Sequence, residues 1–127
     1  MKDIDPDNDP RIMVFGSNLR GAHGKGAALF AKMYKGVQYG VGEGPTGRAY
    51  ALPTKDERIR SLPLPAIKIH VDKFLEYARA NPAVRFQVTR VGCGLAGYTD
   101  KDIGPMFARS PENCDLPDEW LVYRTHP

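Results

Sequence analysis

The apolar positions along this chain change period several times, and each change marks an element. Arg11–Phe15 (RIMVF) is a short apolar run stopped by Gly16, which reads as a buried strand. After the polar loop GSNLRGAHGKGA, Ala27, Phe30, Ala31 and Tyr34 fall at helical spacing, so a helix is predicted from near Gly26. GVQYGVGEGPTGRAYALPT reads as a glycine-rich turn between two short strands, the second being Arg48–Leu52, closed by Pro53. Ile67, Val71, Phe74, Leu75 and Ala78 then form one apolar stripe at the helical period. Pro63 and Pro65 mark where that helix starts, and Asn81-Pro82 where it ends. Val84, Phe86 and Val88 alternate with Arg85, Gln87 and Thr89, predicting a strand over Val84–Val91 that feeds Gly92. A Thr99…Asp102 capping pair predicts a helix over Thr99–Arg109. Trp120–Tyr123 is a last strand candidate. Strands alternating with helices predict an α/β sandwich.

Composition bounds this picture without changing it. A length of 127 residues fits one domain, read here as residues 11–127 behind a frayed acidic tail at 1–10. No apolar run approaches 18 residues, so no membrane-spanning helix is expected. The start MKDIDPDNDP is acidic and has no apolar core, so it does not read as a signal peptide. Cys93 and Cys114 form neither a disulfide framework nor a zinc spacing, so no metal is expected and the cytoplasm is the expected setting.

Glycine and charge do change the picture. Nine of the 13 glycines fall between Gly16 and Gly47, and three more at Gly92, Gly94 and Gly97. Such clustering uses backbone as a surface. Residues 1–10 carry a net charge of −3 and residues 110–120 carry −4, while 11–109 carry +9. A basic body with glycine-rich loops suits an anionic partner, either a nucleotide or a polymer.

Each glycine loop follows a predicted strand and precedes a predicted helix. That arrangement aims backbone N–H groups and a helix N-terminus at one point, where an anion is favoured. Two such loops at strand exits would converge on one crevice. Gly92-Cys93-Gly94-Leu95-Ala96-Gly97 matches the dinucleotide fingerprint G-x-G-x-x-G. That fold, however, needs a long strand–helix array downstream, for which the chain lacks the residues. Lys25 follows Gly24, but Gly26 stands where a P-loop needs Ser or Thr.

These residues carry a resemblance. Asn18 with Gly21, Gly24, Gly26 and Ala27-Ala28 is similar to the first ligand loop of macrodomains, and Gly92–Tyr98 (GCGLAGY) to their phosphate-cradling second loop. The stretch TRVGCGL resembles the branch that contains the terminal ADP-ribose protein glycohydrolases and the ADP-ribose-1″-phosphate phosphatases. Tyr50–Lys55 (YALPTK) resembles the strand end that carries the glycohydrolase's catalytic lysine. The resemblance implies a three-layer α/β/α fold with a mixed central sheet, binding ADP-ribose or a related NAD-derived nucleotide without any cofactor. It places Asn18 and Tyr98 at the distal ribose. His23, Gly24, Lys25, Gly26 and Ala27 would stand on one side of the pyrophosphate, and the amides of Gly92, Cys93, Gly94, Leu95, Ala96 and Gly97 on the other.

The glycohydrolase branch uses a lysine that attacks the ribose C1″ and an aspartate that assists. Lys55 matches the lysine; Ala96 stands where the aspartate is expected, so Asp100 or Asp102 would have to replace it from the next turn. Each residue also has a plainer reading. Lys55 lies in the charged loop TKDERIR, Asp102 suits a helix cap, Asp100 a helix-dipole partner, and Asn18 a side-chain-braced turn. His23 suits a surface turn, Tyr98 a core aromatic, and Trp120 an edge or core anchor. Cys93 before a predicted helix is either an activated thiol or a packed small residue. Three functions compete: hydrolysis of an ADP-ribosyl ester or 1″-phosphate, nucleotide binding without turnover, and nucleic-acid binding. The last is disfavoured because the bases are scattered without a recognisable motif.

Overall fold

Why the two faces of one sheet are both apolar follows from alternation along its central strands. In the computed structural model, which describes residues 8–125, β1 (Ile12–Asn18) lies at the centre of a five-stranded sheet. It pairs in parallel with β3 (Ala49–Lys55) on one side and with β4 (Phe86–Val88) on the other. β2 (Gly44–Thr46) runs antiparallel to β3, and β5 (Cys114–Asp115) parallel to β4, giving the order β2-β3-β1-β4-β5. Met13, Phe15, Ala49 and Ala51 point to one face, where they bury Ala28 and Ala31 of α1 (Gly26–Tyr34). Val14, Tyr50, Leu52, Phe86 and Val88 point to the other, against α2 (Leu64–Ala80) and the one-turn helix α3 (Asp100–Ile103). The fold is therefore a three-layer α/β/α sandwich on a mixed sheet, as the alternation of elements predicts.

The expected helical stripe on α2 is fully realised. Ile67, Val71, Phe74, Leu75 and Ala78 are all buried, Phe74 meeting Tyr50 and Phe86 edge-on at ring distances of 4.9 and 5.3 Å. Pro63 is the N-cap and Asn81 the C-cap.

Four boundaries differ from the sequence expectation, each for a physical reason. β3 continues through Pro53 to Lys55, because β2 ends opposite Ala51 and no ladder partner on that side needs the missing N–H. The strand expected over Val84–Val91 is regular only at Phe86–Val88, its pairing length with β1. The helix expected over Thr99–Arg109 stops at Ile103 and continues as a 3-10 turn at Gly104–Phe107, with Pro105 supplying no N–H to an α-helical ladder. Trp120–Tyr123 belongs to a 3-10 helix, Asp118–Tyr123, and not to a strand. The last strand is instead the two-residue β5, too short to carry a period.

Residues 1–7 of the expected tail lie outside the described residues. Asp9 is not frayed. Its carboxylate accepts from Arg11 Nε at 2.9 Å and Nη2 at 2.6 Å, and its carbonyl accepts from the buried Lys35 ammonium at 3.1 Å. Arg11 also reaches Asp115, which Arg85 holds from the other side, so this network staples β1 to β4 and β5.

Candidate functional site

The chain leaves β1 toward α1 on one face, while the neighbouring β4 delivers it toward α3 on the opposite face. Diverging connections open a crevice at the carboxyl ends of parallel strands. A cleft of about 540 Å³ lies there. Its floor is pinned by two hydroxyls: Thr89 Oγ1 donates to the Val14 carbonyl at 2.7 Å and Thr54 Oγ1 to the Ser17 carbonyl at 3.3 Å.

The first loop is braced by its own asparagine. Asn18 Nδ2 donates to the Ala22 carbonyl at 2.7 Å, and the Ala22 N–H donates to Asn18 Oδ1 at 3.0 Å. Asn18 lines the cleft and braces the loop, so the turn-bracing reading is realised, while one N–H and one oxygen lone pair of its amide stay free of these two bonds. Gly24, Lys25, Gly26 and Ala27 line the cleft beyond it. Lys25 is the N-cap of α1 and offers no side-chain cap. The first amides of α1, at Gly26, Ala27 and Ala28, have no intrahelical acceptor, and these three residues line the cleft.

The second loop makes its own turns. Cys93, Gly97 and Tyr98 donate their N–H groups to Arg90, Gly94 and Gly92 carbonyls at 2.9–3.1 Å. This leaves the amides of Gly92, Gly94, Leu95 and Ala96, all lining the cleft, without an internal acceptor among the described residues. Gly92 takes a φ of 78°, which permits the turn. Leu95, 62% exposed, leans toward the first loop: its Cδ1 lies 3.5 Å from where a side chain at Gly26 would begin. The expected helix behind this loop is a correction. α3 has one turn, and its N-terminus is closed by Thr99 and Asp102 in a capping box, so the loop's own amides carry its polarity.

The remaining expected site residues lie elsewhere. Asp102 is the reciprocal half of that box. Asp100 accepts from Arg90 at 2.8 and 3.0 Å and from Trp120 Nε1 at 2.8 Å, and these partners, Arg90 first, hold its carboxyl below the ordinary range. Neither aspartate lines the cleft. Tyr98 packs on the α2-side core and donates its hydroxyl to the Leu62 carbonyl at 2.5 Å, which removes it from the expected ribose contact. Gly97 sits outside the lining. Cys93 also lies outside it, and burial, helped by the Asp100 charge, pushes its thiol up to about 11, the reverse of activation.

His23 is not a surface-turn residue. It is 1% exposed, edge-on to Phe15, and neither ring nitrogen has a hydrogen-bond partner among the described residues. Burial pushes its pKa below 6.5, only partly offset by a marginal contact with the Val41 backbone, and the Lys32 charge pushes it further down. A pH dependence follows. In the unfolded chain His23 takes up a proton below about pH 6.5, while the folded state resists, so stability falls as pH drops through that value. Asp9, held down to about 2 chiefly by Arg11, is protonated first in the unfolded chain near pH 4, so its contribution is lost between about pH 4 and pH 2. Thermal unfolding across pH 7.5 to 2.5 is expected to show both declines, and His23→Phe only the second.

Lys55 does line the cleft, just past the irregularity between Ser17 and Asn18 in the β1–β3 pairing, and its ammonium has no hydrogen bond or ion pair among the described residues. Lys25, Lys55 and Arg90 are the bases of the lining, which among the described residues includes no carboxylate. Lining residues that sequence reasoning missed are Gly16, Ser17, Ala22 and Ala28 around the first loop, and Thr54, Ile59, Thr89, Arg90 and Val91. Thr89–Val91 directly precede the second loop and were legible by adjacency; nothing in the pattern points to Ile59. No family model, curated protein or solved structure matches the chain.

Proposed function

We propose that the chain is a macrodomain-like binder of ADP-ribose or a related NAD-derived nucleotide. One observation carries this reading: among the described residues, two sets of unpartnered amides, Gly26–Ala28 and Gly92 with Gly94–Ala96, border one cleft whose lining has two unpaired lysines, Lys25 and Lys55, besides the Asp100-paired Arg90, and no carboxylate. A diphosphate is an anion whose oxygens suit fixed amide dipoles, because such donors need no reorganisation on binding. The +9 body then needs no polymer, since a dinucleotide-like ligand is anion enough. Binding without turnover is the better-supported form. Lys55 reaches the cleft as the nucleophile would, but Asp100 and Asp102 are engaged elsewhere and Ala96 brings no acid.

Calorimetric titration is expected to show one ADP-ribose per chain, weakened roughly fivefold by Lys55→Ala. A flat titration at millimolar ligand would overturn the reading. The same protein is expected to release no ADP-ribose from a glutamate-modified peptide. Release that disappears in Lys55→Ala would instead restore the hydrolase reading.

A further inference from the structure

We propose that Ile59 sets the ligand specificity of this cleft, as the apolar wall against which an uncharged sugar ring carried on the diphosphate packs; this rests on the nucleotide reading above. Ile59 has a φ of 61° and is the one non-glycine residue with positive φ among the described residues. A β-branched side chain is a marked outlier there, where glycine or asparagine would be at ease.

The surrounding loop holds it in place. Asp56 Oδ1 accepts the N–H groups of Arg58 and Arg60, both at 2.9 Å. The Asp56 N–H donates to the Arg60 carbonyl at 2.7 Å, and the Ile59 N–H to the Asp56 carbonyl at 3.1 Å. A bridge between Lys55 and Ser61 closes the base of the loop. Ser61 Oγ then donates to the Ala96 carbonyl at 2.7 Å, tying the loop to the second glycine loop.

Folding does not account for this isoleucine. It belongs to neither buried cluster and is 37% exposed, yet it lines the cleft, four residues past Lys55. Strain at one residue, over-determined by five hydrogen bonds and a bridge around it, presents hydrocarbon to the ligand. Ala96, the loop's contact through Ser61, adds no charge at that end. The C–H face of a ribose gains by packing there. An ionised terminal phosphate would have to shed water against that hydrocarbon, a cost that the C–H face of a sugar does not carry. The cleft is thereby built for a diphosphate esterified to a sugar over a free nucleoside diphosphate.

Calorimetry of ADP-ribose and of ADP against wild type and Ile59→Gly, with thermal unfolding of both proteins, tests this. Ile59→Gly is expected to melt at a higher temperature, because glycine accepts the backbone conformation. It is expected to bind ADP as wild type does and ADP-ribose about five- to tenfold more weakly. An unchanged ratio of the two affinities overturns the role of Ile59, whatever the melting temperature. A lowered melting temperature overturns it too, because Ile59 would then be serving the fold. Wild type that binds neither nucleotide takes down the nucleotide reading itself, and this proposal with it.

Discussion

Replacing Trp120 by alanine is expected to cost about 4 kcal/mol of stability, the scale of emptying a fully buried large aromatic site. Trp120 has no exposed surface and stacks on Phe107 with ring centres 4.9 Å apart and planes 26° from parallel. It closes the α2-side core where the 3-10 turn Gly104–Phe107 meets the C-terminal 3-10 helix. Its neighbours cannot relax into the space easily: Gly104 already sits where an added methyl would lie 2.6 Å from the Tyr123 ring. Trp120→Phe keeps the stack and removes the Nε1 donor to Asp100, and is expected to cost only about 2 kcal/mol. Denaturant unfolding of the two variants measures both numbers. A Trp120→Ala protein within 1 kcal/mol of wild type would mean, against the roughly 4 expected, that this corner of the core is not closed.

Gly21→Ala is expected to cost about 3 kcal/mol and, on the proposed function, to weaken ADP-ribose binding in the protein that remains folded. Gly21 takes a φ of 75°, and a Cβ there would lie 2.3 Å from the Gly40 carbonyl carbon. The obstacle is backbone, held by the Gly40 N–H to the Gly21 carbonyl at 2.9 Å, so no side chain can rotate out of the way. The first loop would have to move away from Gly40, and with it the brace between Asn18 and Ala22 that shapes one rim of the cleft. Gly24→Ala is the control. Nothing lies within 4 Å of its added methyl, so it is expected to leave stability within ~0.5 kcal/mol of wild type. Thermal unfolding of both variants, with ADP-ribose titrated below the transition, separates loop geometry from overall stability. Equal melting temperatures for the two would contradict the contact between Gly21 and Gly40.

Which features were legible in the sequence follows from how local their causes are. The stripe Ile67 to Ala78 and the Thr99–Asp102 box are written within one or two helical turns, and both stand in the structure as read. Helix α1 starts at Gly26 for the same local reason. The placements that failed depend on neighbours distant in the chain. Pro53 reads as a stop in the sequence, but whether proline ends a strand depends on the partner beside it, and β2 stops short of it. Trp120–Tyr123 reads as a strand candidate in the sequence, while the position of Trp120 is decided by Phe107 and Asp100. Asp100 is a candidate acid by its place in the sequence, but Arg90, ten residues earlier, binds its carboxylate. His23 looked like a surface turn, although the loop folds it under against Phe15.

The amino-acid pattern alone determined the layering and the two glycine-rich loops, because period and glycine placement act within a few residues. Tertiary structure decided that those loops face one cleft, and which side chains remain free inside it. Lys25 and Lys55 stay unpaired there among the described residues, while Asn18, Tyr98, Asp100 and Asp102 are held by loop and core. Ile59 enters the cleft on a hairpin held by the Asp56 carboxylate, the Lys55–Ser61 bridge and the Ser61 hydroxyl on Ala96. The physical reason is common to all of these. A polar group's role is fixed by the partner that satisfies it, and for these residues the partner lies as far as 36 residues away, as Leu62 does from Tyr98.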